Sequence, residues 1–316
     1  MNSSTSSSEA GTAFVVWRVV YAIRKPVLFL LIFVLSDRVL DRVLRHGLEV
    51  YFGLDRSATV LCVGHSRTML GIDGPGLERQ LGVPVAKYAV NGANLSDRFS
   101  MVRQFLEAHS EVQVVVMDVD AFTFTDDNLS SNSYRLFFPF QDDPGVESHL
   151  RASGASSWDV QARKWARTLR YDETTLWLAL RGLLSFRESV KHGSLDVDRT
   201  RRRIAAGKSR SVSIDGRSER MFGEMIRWIR DRNVRVFLVF IPTADVLNEQ
   251  DRTGLAQSVE RLQAFASDDA GTVYLDYNSE YEHRHDLFID ELHLNRDGQR
   301  EITARLAADL KRDMRR

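Results

Sequence analysis

Short apolar runs alternate with amphipathic stretches along most of the chain, beginning at Ala58. Residues 59–64, 85–90, 112–119, 234–241 and 272–277 are almost continuously apolar, which suits strands covered on both faces. Between them, residues 75–81, 95–109, 217–232, 251–267 and 296–313 read as helices. Strands and helices taking turns are the mark of a parallel sheet with helices on its faces. The pattern therefore predicts one doubly wound α/β domain over residues 58–316, built on a five-stranded parallel sheet. The stretch between the third and fourth strands, residues 121–214, is too long for a single crossover and predicts a large, mostly helical insertion. Within it, Trp165, Leu169, Leu176, Leu180 and Leu184 fall at helical spacing. Phe137, Phe138 and Phe140 are expected to pack the insertion against the sheet, and the run at 198–203 to be a solvated charged face.

The amino end has a different texture. Residues 1–13 are rich in Ser, Thr, Gly and Ala with almost no large apolar group, too little to offset the entropy of ordering, so a disordered tail is expected there. Residues 14–45 contain the strongest apolar run, 27–35, between Arg24-Lys25 and Ser36-Asp37-Arg38. A spanning helix needs about 20 apolar residues. The run spans only with the turns before or after it recruited, so a membrane anchor is expected, with an amphipathic helix on a membrane or partner as the alternative. No small-residue cleavage site follows, which favours a retained segment over a removed signal peptide.

Composition narrows the function. Lys and Arg number 43 and Asp and Glu 43, so the formal net charge is zero, and nucleic acid is not an expected partner because phosphate binding rests on excess cations. Cys62 is the single cysteine, which excludes an intrachain disulfide and a cysteine-based zinc site.

Two short segments carry candidate chemistry. The first strand ends in Gly64-His65-Ser66-Arg67-Thr68, which places the Ser66 hydroxyl on the turn beyond a carboxyl end, where open sheets of this class bind ligands. Far downstream, Asp290-Glu291-Leu292-His293-Leu294-Asn295-Arg296-Asp297-Gly298 stands just ahead of the last helix. An Asp three residues before a His can orient one imidazole nitrogen while the other faces a hydroxyl. Either segment alone is weak; together, on a fold that brings both to one sheet edge, they point to a Ser66, His293 and Asp290 nucleophilic site.

With these blocks in place the sequence resembles the SGNH hydrolase family, also called GDSL-like. The resemblance implies a three-layer, flavodoxin-like domain, no cofactor, and a serine acyl-ester hydrolase or O-acyltransferase. Asn91-Gly92-Ala93 after the second strand looks like the family's second block, whose Gly gives a backbone N–H to the oxyanion. His65 stands in place of the usual Asp of the first block. The third block should supply Gly-x-Asn, but this chain has Met117-Asp118-Val119-Asp120, so the oxyanion donors expected are the Ser66 and Gly92 N–H groups with Asn94 as a substitute. Arg67 is expected to bind an anionic part of the substrate. Segment 14–45, the first-block pattern and the missing Asn look most like the membrane-anchored branch that includes the D-alanyl-transfer protein of teichoic acid synthesis and partners of membrane-bound O-acyltransferases. That likeness implies an acyl donor or acylated cell-envelope glycan as substrate, a membrane-bound acyltransferase as partner and an extracytoplasmic domain.

Three other readings compete. The domain is catalytically degenerate and binds glycan or scaffolds an acyltransferase complex. Asp118-Val119-Asp120 holds a divalent metal for a glycosyltransferase. Or His283, His285, Asp286, Asp290 and His293 form a metal cluster.

Overall fold

The computed structural model describes residues 6–125, 133–186, 189–206 and 211–314. Five strands, β1 (Val60–Gly64), β2 (Val85–Ala89), β3 (Val114–Val119), β4 (Arg235–Phe240) and β5 (Thr272–Asp276), form one parallel sheet in the order β2-β1-β3-β4-β5. All five lie where the apolar runs predict them. Period-two alternation splits their side chains between two cores. Leu61, Val63, Val115, Met117, Leu238 and Phe240 face one, and Val60, Cys62, Val114, Val116, Phe237 and Val239 face the other.

The helices are α1 (Ser6–Phe52), α2 (Ser66–Gly71), α3 (Gly74–Leu81), α4 (Leu95–Ala108), α5 (Pro144–Ala152), α6 (Ser157–Trp165), α7 (Glu173–Leu183), α8 (Val197–Ala205), α9 (Gly216–Arg230), the one-turn α10 (Asp245–Asn248), α11 (Arg252–Ser267), the one-turn α12 (Asn278–Tyr281) and α13 (Arg296–Met314). The first core takes the carboxyl end of α1, α4, α9 and the insertion, and the second takes α3 and α13. The result is a three-layer α/β domain. Reversal of strand order between β1 and β3 opens a crevice at their carboxyl ends, and β1 runs directly into α2 there.

The insertion carries α5 to α8 and joins the first core through Phe137, Phe138 and Phe140, which makes those rings packing groups. Residues 126–132, at its start, lie outside the described residues. Helices form where the spacing places them, and Trp165, Leu169, Leu176, Leu180 and Leu184 are exposed. Helix α7 instead lies on α1 through small residues. A methyl added at Gly182 would overlap the Gly47 carbonyl, and one added at Gly47 would overlap the Ala179 carbonyl.

The amino end also departs from expectation. Residues 1–5 lie outside the described residues, but the backbone is helical from Ser6, through most of the expected disordered tail. Among the described residues no helix is long and apolar enough to cross a membrane. That overturns the anchor expected over 14–45 and the extracytoplasmic placement resting on it. The physical reason lies on both sides of residues 27–35. Arg24 and Lys25 precede them, and from Asp37 onward the helix is fixed to the insertion. Asp37 accepts hydrogen bonds from the backbone N–H groups of Arg167 at 2.9 Å and Thr168 at 2.8 Å, and Asp41 accepts one from the Tyr171 hydroxyl at 2.9 Å. The turns after the run are therefore occupied, and those before it are broken by the two cations.

Candidate active site

The fold brings the two distant segments together. Ser66 is the first residue of α2, immediately after His65, whose Nδ1 accepts the Arg67 N–H at 3.3 Å and caps the helix. Ser66 Oγ lies 2.8 Å from His293 Nε2, across 227 positions of sequence. His293 Nδ1 is 2.9 and 3.0 Å from the two carboxylate oxygens of Asp290. A carboxylate can only accept, so the imidazole proton sits on Nδ1, and Nε2 is left as an acceptor for the serine hydroxyl. Burial raises the Asp290 carboxyl, but the hydrogen bond and charge of His293 and the backbone N–H groups of Leu292 and His293 outweigh it and hold the group below the usual carboxylate range.

The loop bearing this pair is tied down locally. Asp290 Oδ1 accepts from the N–H groups of Leu292 and His293, both at 2.9 Å, and the Ile289 N–H reaches the His293 carbonyl at 2.9 Å. Asn295 then starts α13. Its Oδ1 accepts from the Asp297 and Gly298 N–H groups, and its Nδ2 donates to the carbonyls of Asp286 at 2.7 Å and Gly193 at 2.9 Å. Sequence reading marks Asn295 as part of the block, whereas its clamp on the insertion has no short-range signal.

The two N–H groups expected as oxyanion donors follow the chain ends of β1 and β2. As the first residue of α2, Ser66 has an N–H with no partner inside the helix. Gly92 occupies the third position of a turn closed by the Ala93 N–H to the Val90 carbonyl at 3.1 Å, and its φ of 74° lies in the left-handed region that glycine adopts freely. Asn94, expected as a further donor, is the N-cap of α4: its Oδ1 accepts from the Asp97 N–H at 2.9 Å and the Ser96 hydroxyl at 2.8 Å, in a reciprocal capping box with Asp97.

Arg67 is a clear correction. It is 2 % exposed and does not reach the crevice. Its Nη2 donates to Asp118 Oδ1 at 2.8 Å and the Val119 carbonyl at 2.6 Å, and Nη1 lies 3.3 Å from Asp120 Oδ2. Arg98, which the sequence does not single out, donates to the Asp118 carbonyl at 2.8 Å. His65 is buried beside them, its Nε2 3.5 Å from Asp118 Oδ2, and burial pushes its pKa down to about 4. It is therefore neutral near pH 7 and packs beneath the nucleophile turn. Burial disfavours charge on Asp118 too, yet Arg67, His65 and Arg98 together hold its carboxyl below the usual range.

The same contacts remove the metal readings. Asp118 is spent on Arg67, and Asp120 Oδ1 accepts from the Phe122 N–H and the Thr123 hydroxyl. His283 and His285 both turn to Asp245, at 2.8 and 2.7 Å, away from His293. Among the described residues no cluster of His, Cys, Asp and Glu is arranged to hold a metal ion.

No family model and no curated protein matches the chain. Solved structures that resemble it are lipases and acylhydrolases. A protein assigned as a platelet activating factor from Streptococcus pneumoniae is 10% identical, with 91% of this chain and 99% of that one covered and a TM-score of 0.43. A lipase/acylhydrolase from Enterococcus faecalis is 13% identical, covering 80% and 94%, with a TM-score of 0.40. A protein assigned as lipolytic and of the G-D-S-L family, from Desulfitobacterium hafniense, is 9% identical, covering 79% and 97%, with a TM-score of 0.38. The strand order and the Ser66, His293 and Asp290 geometry stand on their own distances.

Proposed function

We propose that this protein is a serine acyl-ester hydrolase or O-acyltransferase of the SGNH kind. The observation that carries the reading is the 2.8 Å approach of Ser66 Oγ to an imidazole already oriented by Asp290. In the first step His293 Nε2 takes the Ser66 proton while Oγ bonds to the ester carbonyl carbon, and the carbonyl oxygen gains the negative charge. The N–H groups of Ser66 and Gly92 receive that oxygen. As the tetrahedral species collapses, the ester C–O bond breaks and the leaving alkoxide takes the proton from His293, which leaves an acyl-serine. Water or an acceptor hydroxyl then gives its proton to His293 and attacks the acyl carbon, and as the bond from that carbon to Oγ breaks His293 returns the proton to Ser66. Asp290 keeps the ring in the right tautomer and stabilises it while it is charged. The family resemblance makes a sugar hydroxyl the first acceptor to test after water.

Removing one oxyanion donor costs about 2.7 to 4 kcal/mol, and here the third-block Asn is absent. This favours, as a second reading, a site that binds acylated ligands without turning them over. The test is labelling by a fluorophosphonate together with hydrolysis of p-nitrophenyl esters. A catalytic site gives labelling at Ser66 and hydrolysis, both lost in Ser66→Ala. Hydrolysis undiminished in Ser66→Ala would sink the covalent mechanism, and neither labelling nor hydrolysis in the natural chain would favour the second reading.

A further inference from the structure

The proposed chemistry names an ester without saying what acyl group it carries, and the site has a neighbour that bears on this. A cavity of about 460 Å³ opens beside α2, within the range of about 300 to 1,000 Å³ usual for small-molecule pockets. Met69 and Leu70 line it. They follow Ser66 by three and four positions on α2, so they share its helix face one turn on. Asn91, next to Gly92, contributes from the turn beyond β2, and Leu136 and Leu178 come from the insertion.

The cavity is joined to the histidine side of the site as well. Residues 189–191 close part of it, and they are bonded to the start of α13: the Arg296 N–H donates to the Lys191 carbonyl at 2.9 Å and Gln299 Nε2 to the Ser189 carbonyl at 3.1 Å. Tyr51 of α1 spans the wall, its hydroxyl 3.4 Å from Ser189 Oγ and 4.0 Å from Met69 Sδ. The lining, mostly apolar but with Arg181 and Lys191 in it, thus reaches from the nucleophile helix, past the turn that bears Gly92, to the segment bonded to the first turn of α13.

Resting on the nucleophile role of Ser66, we propose that this cavity receives the hydrocarbon chain of the acyl group. The substrates are then esters of long-chain fatty acids, on the order of fifteen carbons, since a methylene fills roughly the volume of a water, about 30 Å³. An acetyl or aminoacyl group would leave the walls uncovered and place no apolar surface against Leu136 and Leu178.

The experiment has two arms, the first being kcat/KM for p-nitrophenyl esters from acetate to palmitate. The expected profile rises steeply from acetate, up to about fourfold per methylene from the burial of apolar surface, and is highest between laurate and palmitate. Leu178→Trp, and separately Leu136→Trp in case one variant misfolds, should lower the decanoate-to-acetate ratio at least tenfold. The second arm needs no turnover: 11-(dansylamino)undecanoate should bind Ser66→Ala protein saturably, be displaced by decanoate, and bind at least fivefold more weakly when Leu178→Trp is added. Acetate preferred, or a ratio that neither tryptophan moves, would overturn the acyl-chain site while leaving the serine mechanism intact. Absence of all ester turnover would count against the mechanism alone, and the binding arm then decides the cavity's role: no saturable binding, or binding that the tryptophan leaves unchanged, overturns it.

Discussion

At Asp290 one carboxylate oxygen serves three hydrogens: the N–H groups of Leu292 and His293 and the His293 ring. An amide oxygen can keep the two backbone bonds, but it cannot offset a charged imidazole. Asp290→Asn should therefore lower kcat on the order of 10² to 10⁴ fold with KM little changed, and leave the urea midpoint close to that of the natural chain; steady-state kinetics and urea titration check both halves. His65 makes a pH prediction of another kind. Its pKa falls from 6.5 in the unfolded chain to about 4 in the fold. Between those values the unfolded state binds more protons, so stability is complete above pH 6.5 and lost as the pH drops toward 4. The loss attributable to this one residue is on the order of 3 kcal/mol. His65→Asn keeps a capping acceptor and should flatten the slope of unfolding free energy between pH 7 and 4.5, measured by urea titration at several pH values. An unaltered slope would mean that His65 is not the group responsible.

Among elements, α1 and α7 cross in close contact, because Gly47 and Gly182 let the two backbones meet. Gly182→Val has to push α7 outward, and we expect it to cost about 1 to 3 kcal/mol, visible as a lower melting temperature. Since Leu178 on α7 and Tyr51 on α1 both line the cavity, the same variant should also change the chain-length profile. The crossing also marks a limit of pattern reading. Strands were legible because burial on both faces makes them continuously apolar, and the observed ends lie within two residues of the apolar runs. The docking face of helix α7 was not legible because it is made of glycine and alanine, which carry little hydrophobic signal, while Leu176 and Leu180 are exposed. The fate of Arg67 was hidden for a related reason: its neighbour in sequence is the nucleophile, but its partners, Asp118 and Asp120, come from a different strand end. Ser66, Asp290 and His293 could be read because each stands at a fixed place relative to a strand end or a helix start.

Over the whole molecule, the side chains of residues 27–35 remain exposed, Phe29 at 70 %, and Trp177 on the docked helix α7 is exposed at 63 %. Contiguous apolar surface larger than a few hundred Å² is uncommon on a monomer in water. The chain is expected to associate at micromolar concentration, and replacing Leu28, Phe29, Leu31 and Ile32 together by Ser should return it to a monomer in sedimentation velocity runs. A monomer before any replacement would refute this. Finally, the serine and the imidazole that faces it are separated by 227 positions, and the imidazole arrives with the closing loop ahead of α13. A nascent or truncated polypeptide thus displays an ordinary alcohol, and whatever reactivity the site has comes into being with the finished molecule, so that synthesis itself acts as the safety catch.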